Sequence, residues 1–437
     1  MSTKEYGVTY DRPQSVPTSL SRKSLQGLKT LIDFVQIVWS DFTNTTRCRV
    51  LPWAYFEKLM QSSQGHGAEG EWHLAIDIDT IRACPYRERT AMVMGWFQEK
   101  WPQNPEKPLD CVYDPRSILR RIVDEARRTA KVTFLVGFEI EFTLLNRDEP
   151  VNKKWFSTAG SLRSGAVETT VLTAIANSLK DGGVELQMFH AEAAPGQYEL
   201  VLGPLPPVEA ADAIIYTRET IYNIASDHKL RATMAPRLYS DNCGSAMHTH
   251  VSVSALETSA PSPTPSLNIV ESTFLAGLLE HLPAIQVFTM ALPPSYDRML
   301  DGIWSGGTYV CWGDSNKEVP VRLCNRYSDS SRNFEVKCVD GLANPHLALA
   351  AILGAGMLGI NSRRALNQKD MAFGYAAGLD EATRKGTRSR LAQDASLVTL
   401  FGEETIKGYL ATNKIVAEWL ESAGGKDENT RRLIEHF

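Results

Sequence analysis

The stretch Phe189–Leu200, FHAEAAPGQYEL, sets two carboxylates, Glu192 and Glu199, on either side of an Ala-Ala-Pro-Gly turn. Pro fixes φ and Gly accepts the positive φ that follows, so the chain folds back there. Both carboxylates and His190 are then aimed into one space. Carboxylates that converge without a partner repel each other, which makes a cation the natural occupant. Taken by itself, the stretch reads equally as a solvated polar hairpin. Upstream, Val132–Leu145 (VTFLVGFEIEFTLL) is a strand by composition and carries Glu139 and Glu141 two apart. Residues i and i+2 of a strand share a face, so both acids emerge on one side. The bland alternative is the polar face of an antiparallel strand, but two acids in an apolar run are costly unless they bind something. Downstream, Cys243–Ser254 (CGSAMHTHVSVS) brings His248 and His250, again two apart, with Ser252 continuing the face. A histidine pair alone is more often structural. Beside acids already directed at a cation it reads as ligand, since neutral imidazole binds metals well. In Asn333–Val339 (NFEVKCV), Glu335 shares its face with Asn333 and Lys337.

Composition narrows the setting for this chemistry. The chain has 437 residues, 43% hydrophobic and 22% charged, enough for two or three domains with a large core. A net charge of −5 and the lack of a basic run argue against nucleic acid as a partner. No apolar run approaches the roughly 18 residues of a membrane helix, and the first residues lack an apolar signal core. The seven cysteines are scattered, odd in number and without a CxxC pair, which fits a reduced, cytoplasmic protein. A GxxxxGK phosphate loop, an HExxH metal helix and a GxSxG elbow are all missing.

The elements that must position these residues follow from periodicity. Residues 1–28 read as a flexible arm. Residues 29–113 read as a small strand-dominated domain. It opens with a hairpin (Phe34–Trp39, then Arg47–Val50), continues with a short helix at Pro52–Met60, and adds β-rich runs at Trp72–Ile78 and Thr90–Phe97. Asp114-Pro115 is an N-cap followed by Pro at the first helical position, and opens a second domain, 114–437. Helices are predicted at Gly165–Leu179, Pro207–Leu230, Ile269–Ala291 and Pro345–Ile360, with helical, charged residues over roughly the last seventy. Val184–Phe189, Ala232–Arg237, Tyr309–Trp312 and Val319–Leu323 read as strands, and Gln61–Gly70, Ala255–Leu267 and Pro293–Arg298 as loops.

Several motifs fall in the order of one family. Gly137–Phe142 (GFEIEF), His190–Glu199, Gly244–His250 (GSAMHTH), and Asn333–Lys337 followed by Ala343-Asn344-Pro345 together resemble glutamine synthetase of the bacterial type. The likeness runs from about residue 30 to near the C-terminus and is strong after Asp114. It implies an α+β chain: a small N-terminal β-grasp domain, then a catalytic domain with a curved antiparallel sheet lined by ligands and surrounded by helices. It also implies homo-oligomeric rings in which a neighbour's small domain completes each site. The family joins ATP and glutamate into a γ-glutamyl phosphate that an amine then attacks. Carried over, Glu141, Glu192 and Glu199 would hold one Mg²⁺ or Mn²⁺, and Glu139, His248 and Glu335 a second. His250, Ser252, Lys317 and Arg322 would face ATP. Gly244 would let substrate approach the backbone, and Arg298 would hold a substrate carboxylate.

Departures from the family pattern bear on the nucleophile. Lys317 and Lys337 stand where the family has arginines, which keeps charge but loses the bidentate fork. Asn333 replaces a third arginine, while Arg332 is one residue off and should face the other way. Trp304 stands where the family closes its ammonium site with an acid, and the small domain lacks the Phe-Asp-Gly-Ser-Ser latch, for which Asp77 or Asp79 are candidates whose flanks do not match. An indole suits an organic amine through packing or cation–π contact. The expected activity is therefore an ATP-dependent carboxylate–amine ligase using glutamate or a related amino acid and an amine other than ammonia. A regulatory, catalytically impaired relative and an ordinary glutamine synthetase are the alternatives.

Overall fold

The computed structural model describes residues 31–61, 66–69, 72–100, 109–256, 267–372 and 394–437. The expected arm and most of the expected loop at 255–267 lie outside them. The first sheet is made of β1 (Phe34–Ser40), β2 (Thr46–Pro52), β3 (His66–Glu69), β4 (Trp72–Ala83) and β5 (Thr90–Glu99), in the order β2-β1-β5-β4-β3. The expected hairpin is β1–β2, whereas β1 and β5 run parallel. Helix α1 (Trp53–Gln61) covers this sheet, with Trp53 and Phe56 in a small core beside Val35, Ile37 and Leu74. Part of the expected 61–70 loop is β3, paired with β4.

Helix α2 (Pro115–Glu125) begins as the Asp-Pro pair predicts, with the Asp114 carboxylate accepting from the Ser117 N–H at 2.7 Å. A π-helical turn, Ala126–Ala130, ends it, and Lys131 takes a left-handed conformation (φ 54°) that turns the chain into the next strand. That strand, β6 (Val132–Asn146), is the spine of a nine-stranded sheet. Around it lie β7 (Glu149–Pro150), β8 (Leu186–Ala191), β9 (Gln197–Leu202), β10 (Arg231–Thr233), β11 (Met247–Ala255), β12 (Trp312–Asp314), β13 (Val321–Cys324) and β14 (Asn333–Val336). The main order is β12-β13-β14-β11-β6-β9-β8, with β7 and β10 also pairing β6. All pairs are antiparallel except β12–β13, which is parallel, so the sheet is mixed rather than purely antiparallel. The expected strand at Tyr309 starts only at Trp312.

Helices α3 (Val167–Asp181), α4 (Pro207–Asp227), α5 (Ile269–Thr289) and α7 (Pro345–Asn361) bury the apolar side of this sheet in one continuous core, which Val38, Met92 and Met94 of the first sheet also enter. Between them, Pro293–Arg298 forms the one-and-a-half-turn helix α6 instead of the expected loop: consecutive prolines at the start need no intrahelical N–H partner. Helices α5 and α7 meet at Gly277 and Gly359, where an added Cβ on either would lie 2.6 Å from the other's backbone. Helices α8 (Ala395–Phe401), α9 (Glu403–Glu421) and α10 (Lys426–His436) complete the described chain. Among the described residues no helix is long and apolar enough to cross a membrane.

A buried polar seam joins the two sheets. Arg116 binds Asp77 (2.6 Å) and Asp212 (2.9 Å), and His346 meets Asp212 at 2.9 Å. Asn344 reaches Ser40, and Asn44 reaches the Gly341 carbonyl. Asp77, a candidate for the latch, thus pairs with Arg116.

Candidate active site

The register of the second sheet assembles the chemistry in rows. In one row, Arg322 on β13 lies opposite Glu335 on β14, which lies opposite His250 on β11. Beside it, His248 on β11 is opposite Glu139 on β6. In the next, Glu141 on β6 is opposite Glu199 on β9, and Glu199 is opposite His190 on β8. Period-two alternation puts all of these on one face, as the acid and histidine pairs predict. Gly137, facing His250, contributes no side chain and leaves that end of the row open.

Three groups bring ligand atoms within 4.8 Å of one another: Glu139, His248 and Glu335; Glu141, Glu199 and His248; and His190, Glu192 and Glu199. The first is the set expected for one ion. The other expected set, Glu141, Glu192 and Glu199, is divided between two groups that share Glu199, with His190 and His248 drawn in. His190 stands 3.5 Å from Glu199 and 3.7 Å from Glu192, and its Nδ1 is buried without a hydrogen-bond partner. Oxygen-rich donors with a few imidazoles, one of them unsatisfied, fit Mg²⁺ or Mn²⁺.

Electrostatics divides the cluster. Burial, and then the neighbouring carboxylates, push Glu199 well above the usual range. Burial raises Glu141 to about 7, against a partly opposing His248, with Glu192 adding to the rise. Glu192 is likewise raised to about 7, by burial and by Glu139. The other acids go down. Burial works against Glu139, but His248 and His250 outweigh it and hold its carboxyl far below the usual range. Burial also opposes Glu335, yet Lys337, the two histidines and Arg322 bring it to about 2. His250 is held well above its usual value despite burial, by Cys324 and Glu139.

Two cavities meet at this cluster, sharing Glu139 and Arg322. One, about 330 Å³, takes in His250, Ser252, Asn325 and Asn333. Ser252 donates to the Arg332 carbonyl (2.9 Å), and Asn333 Oδ1 lies 2.8 Å from His250 Nδ1. The other cavity, about 440 Å³, holds Glu141, Glu192, Glu199, His248, Gly244, Arg298, Trp304, Lys317 and Lys337. Every expected site residue therefore lines one cavity or the other. Arg332 pairs with Glu271 and Asp329, on the far side as expected.

Several placements sharpen the expectations. Arg298 is buried, and its guanidinium donates to the carbonyls of Lys337 and Val339, beside Asp340, while its Nε remains without a hydrogen-bond partner. The space opposite Gly244 is filled rather than open: a Cβ there would strike the Pro236 carbonyl and the Arg298 stem. Trp304 is half exposed and left-handed (φ 59°), on a loop held by Glu318, whose carboxylate accepts from the Gly302 and Trp304 N–H groups. Sequence reasoning passed over Gln197, which donates to Glu141 (2.9 Å), the Gly244 carbonyl and Ser245, and accepts from Ala194. Its place between Gly196 and Glu199 was the available signal. It also passed over Trp155, Phe156 and Met188, exposed apolar residues that line the larger cavity and carry no periodic signal.

Residues 112–430 match the family described as "Glutamine synthetase, catalytic domain", and the chain belongs to the glutamine synthetase family. Protein fluG of Emericella nidulans is 32% identical over 449 residues, covering 92% of this chain and 49% of that protein. Gamma-glutamylpolyamine synthetase GlnA3 of Streptomyces coelicolor is 32% identical over 277 residues, 61% of this chain and 59% of that protein. The chain thus spans about half to three fifths of the length of these relatives. Among solved structures, a "novel glutamine synthase homolog" superposes with TM-score 0.76 at 24% identity, over 93% of this chain and 99% of that one. A "GmaS/ADP complex" gives 0.76 at 20%, over 92% and 97%. At such identities the two structures establish the fold.

Proposed function

We propose that this chain activates a carboxylate with ATP and joins it to an organic amine through an acyl phosphate. The observation that carries the reading is the meeting of two cavities at six converging ligands, Glu139, Glu141, Glu192, Glu199, His248 and Glu335. Mg²⁺ or Mn²⁺ bound there would screen the charge of phosphate and carboxylate and stabilise the transferring group. The chain's own contribution is positional. Arg322, which lines both cavities, and His250 in the smaller one would stand where a γ-phosphate meets the acid substrate. The smaller cavity, with Ser252 and Asn333, suits the nucleotide. In the larger one, Arg298 and Lys317 supply positive charge for glutamate or a related amino acid.

The amine half rests on the mouth of the larger cavity. Trp304, Trp155, Phe156 and Met188 offer apolar and π surface where an ammonium-selective site needs an anion. A relative named for polyamine ligation agrees with such a nucleophile. A neighbour's small domain in a homo-oligomeric ring would complete the site, and seven free thiols suit a cytoplasmic setting. The test is ATP, Mg²⁺, glutamate and a panel of amines, with product masses measured; ammonia as the best substrate would defeat the amine assignment. Activity surviving Glu192→Ala would defeat the cation assignment. A regulatory protein without turnover is the second reading, favoured by Lys337 lying among the ligands. Amine- and metal-dependent ADP release separates the two.

A further inference from the structure

Lys337 follows Glu335 by two residues, so both side chains leave the same face. Its ammonium lies 3.3 Å from His248 Nε2 and 3.2 Å from Glu335 Oε1. These are two of the three members of the Glu139–His248–Glu335 group. An ammonium offers donors and no acceptor, so Nε2 must accept. A neutral His248 ring then carries its proton on Nδ1. That nitrogen faces the carboxylates, 3.2 Å from Glu139 Oε2 and 3.5 Å from Glu335 Oε1. Lys337 therefore holds His248 in the tautomer that cannot ligate from Nδ1. The other oxygen of Glu335 pairs with Arg322. Both oxygens of this acid are engaged by the chain's own cations.

Lys337 has little freedom to leave. Its side chain is 4% exposed. Its N–H donates to the Pro320 carbonyl, its own carbonyl accepts from Arg298, and Gly306 packs against its Cβ. The other half of the cluster is the reverse case. Glu141 and Glu199 are buried with histidines alongside, and among the described residues neither forms an ion pair with a lysine or arginine.

We infer that Lys337 is a built-in cation of the Glu139–His248–Glu335 group. A divalent ion enters that group only by displacing the Lys337 ammonium from His248 and Glu335. This inference rests on the cation-centre reading above, and concerns what Lys337 does within it.

The test is Mn²⁺ alone, without nucleotide, titrated into the full chain and followed by electron paramagnetic resonance and calorimetry. Relative to the wild-type chain, Lys337→Met and Lys337→Gln should tighten the second, weaker site by roughly tenfold, while Lys337→Arg should not. Unchanged second-site affinity in the neutral variants, or two equally tight ions in the wild type, overturns the inference and leaves the cation centre standing. No tight Mn²⁺ in any chain defeats the cation centre and the inference together. Histidine-selective ¹⁵N labelling tests the wild type directly: metal-free His248 should carry its proton on Nδ1, and an Nε2–H tautomer overturns the inference even if the variants do not fold.

Discussion

Glu141 and Glu199 face each other across β6 and β9, both buried and both pushed toward the protonated form. One row away, the partly buried Glu139 and the fully buried Glu335 are held ionised by histidines, Lys337 and Arg322. Four acids on one sheet face thus divide into a pair that lacks positive charge and a pair already supplied with it. On the function proposed above, that division governs the pH dependence of the metal-free chain.

Removing divalent cations should make stability fall as pH rises. Glu141 and Glu192 move from an ordinary value of 4.5 to about 7, and Glu199 is likewise raised well above 4.5. Between about 4.5 and 7 the native state therefore binds more protons than the unfolded one, so stability drops across that window and stays low above it. Glu139 and Glu335 have the opposite sign, but their contribution is complete above about 4.5 and is lost only in stronger acid. The thermal midpoint in chelator should decline from pH 5 to 7.5, and the gain on adding Mn²⁺ should grow over the same range. A flat profile in chelator counts against the assignment.

Glu199→Gln should act in opposite directions on stability and activity. It relieves repulsion among three carboxylates and lowers the cost of burying a charge. Metal-free stability at pH 8 should rise by on the order of 1 kcal/mol, one pKa unit being worth about 1.4 kcal/mol. Mn²⁺ affinity and ligase turnover should fall by roughly a hundredfold or more. Unfolding in chelator and Mn²⁺ titration read the two effects separately; a variant destabilised in chelator would point to a structural acid instead.

Period-two spacing made most of this site legible in the sequence. Glu139 with Glu141, His248 with His250, and Glu335 with Lys337 each share a face because strands alternate, and the turn at Pro195-Gly196 brings Glu192 and Glu199 together. Positions set by tertiary contacts were not legible. Nothing local reveals that Asp77 is taken up by Arg116, that Gln197 braces Glu141, or that Lys337 reaches back to His248. Helix α6 was hidden by its two prolines, which read as loop chemistry until the helix start explains them. The β1–β5 parallel pairing required knowing that α1 and the intervening strands cross over, which alternation in single strands does not specify.

Gly244→Ala tests whether this glycine serves the substrate or the packing around Arg298. The added methyl meets the Pro236 carbonyl, whose oxygen also accepts the Ser245 N–H, and the Arg298 stem. Backbone cannot yield as a flexible side chain would, so the variant should lose about 1–3 kcal/mol. Arg298 should be displaced with it, raising KM for the acid substrate while KM for ATP stays near its original value. An unaltered thermal midpoint with only the acid KM changed would instead favour direct contact between substrate and the glycine backbone.

Trp304→Asn separates the indole's role from that of its loop. Trp304 holds a left-handed backbone (φ 59°), a conformation that asparagine adopts more readily than a bulky aromatic residue. Glu318 binds the backbone N–H groups of 302 and 304, so the loop keeps its anchor whatever side chain stands there. Stability should therefore stay within about 0.5 kcal/mol or improve slightly. The ring, half exposed on the cavity wall, is lost. A cation–π or packing contact of about 1–2 kcal/mol corresponds to a rise in KM for the organic amine of roughly fivefold to thirtyfold. Turnover at saturating amine and KM for ATP should change little, because Trp304 lines only the larger of the two cavities. Steady-state kinetics with the preferred amine and with ammonia decide the matter. An equal loss for both nucleophiles would mean that the indole closes the site without selecting what enters it.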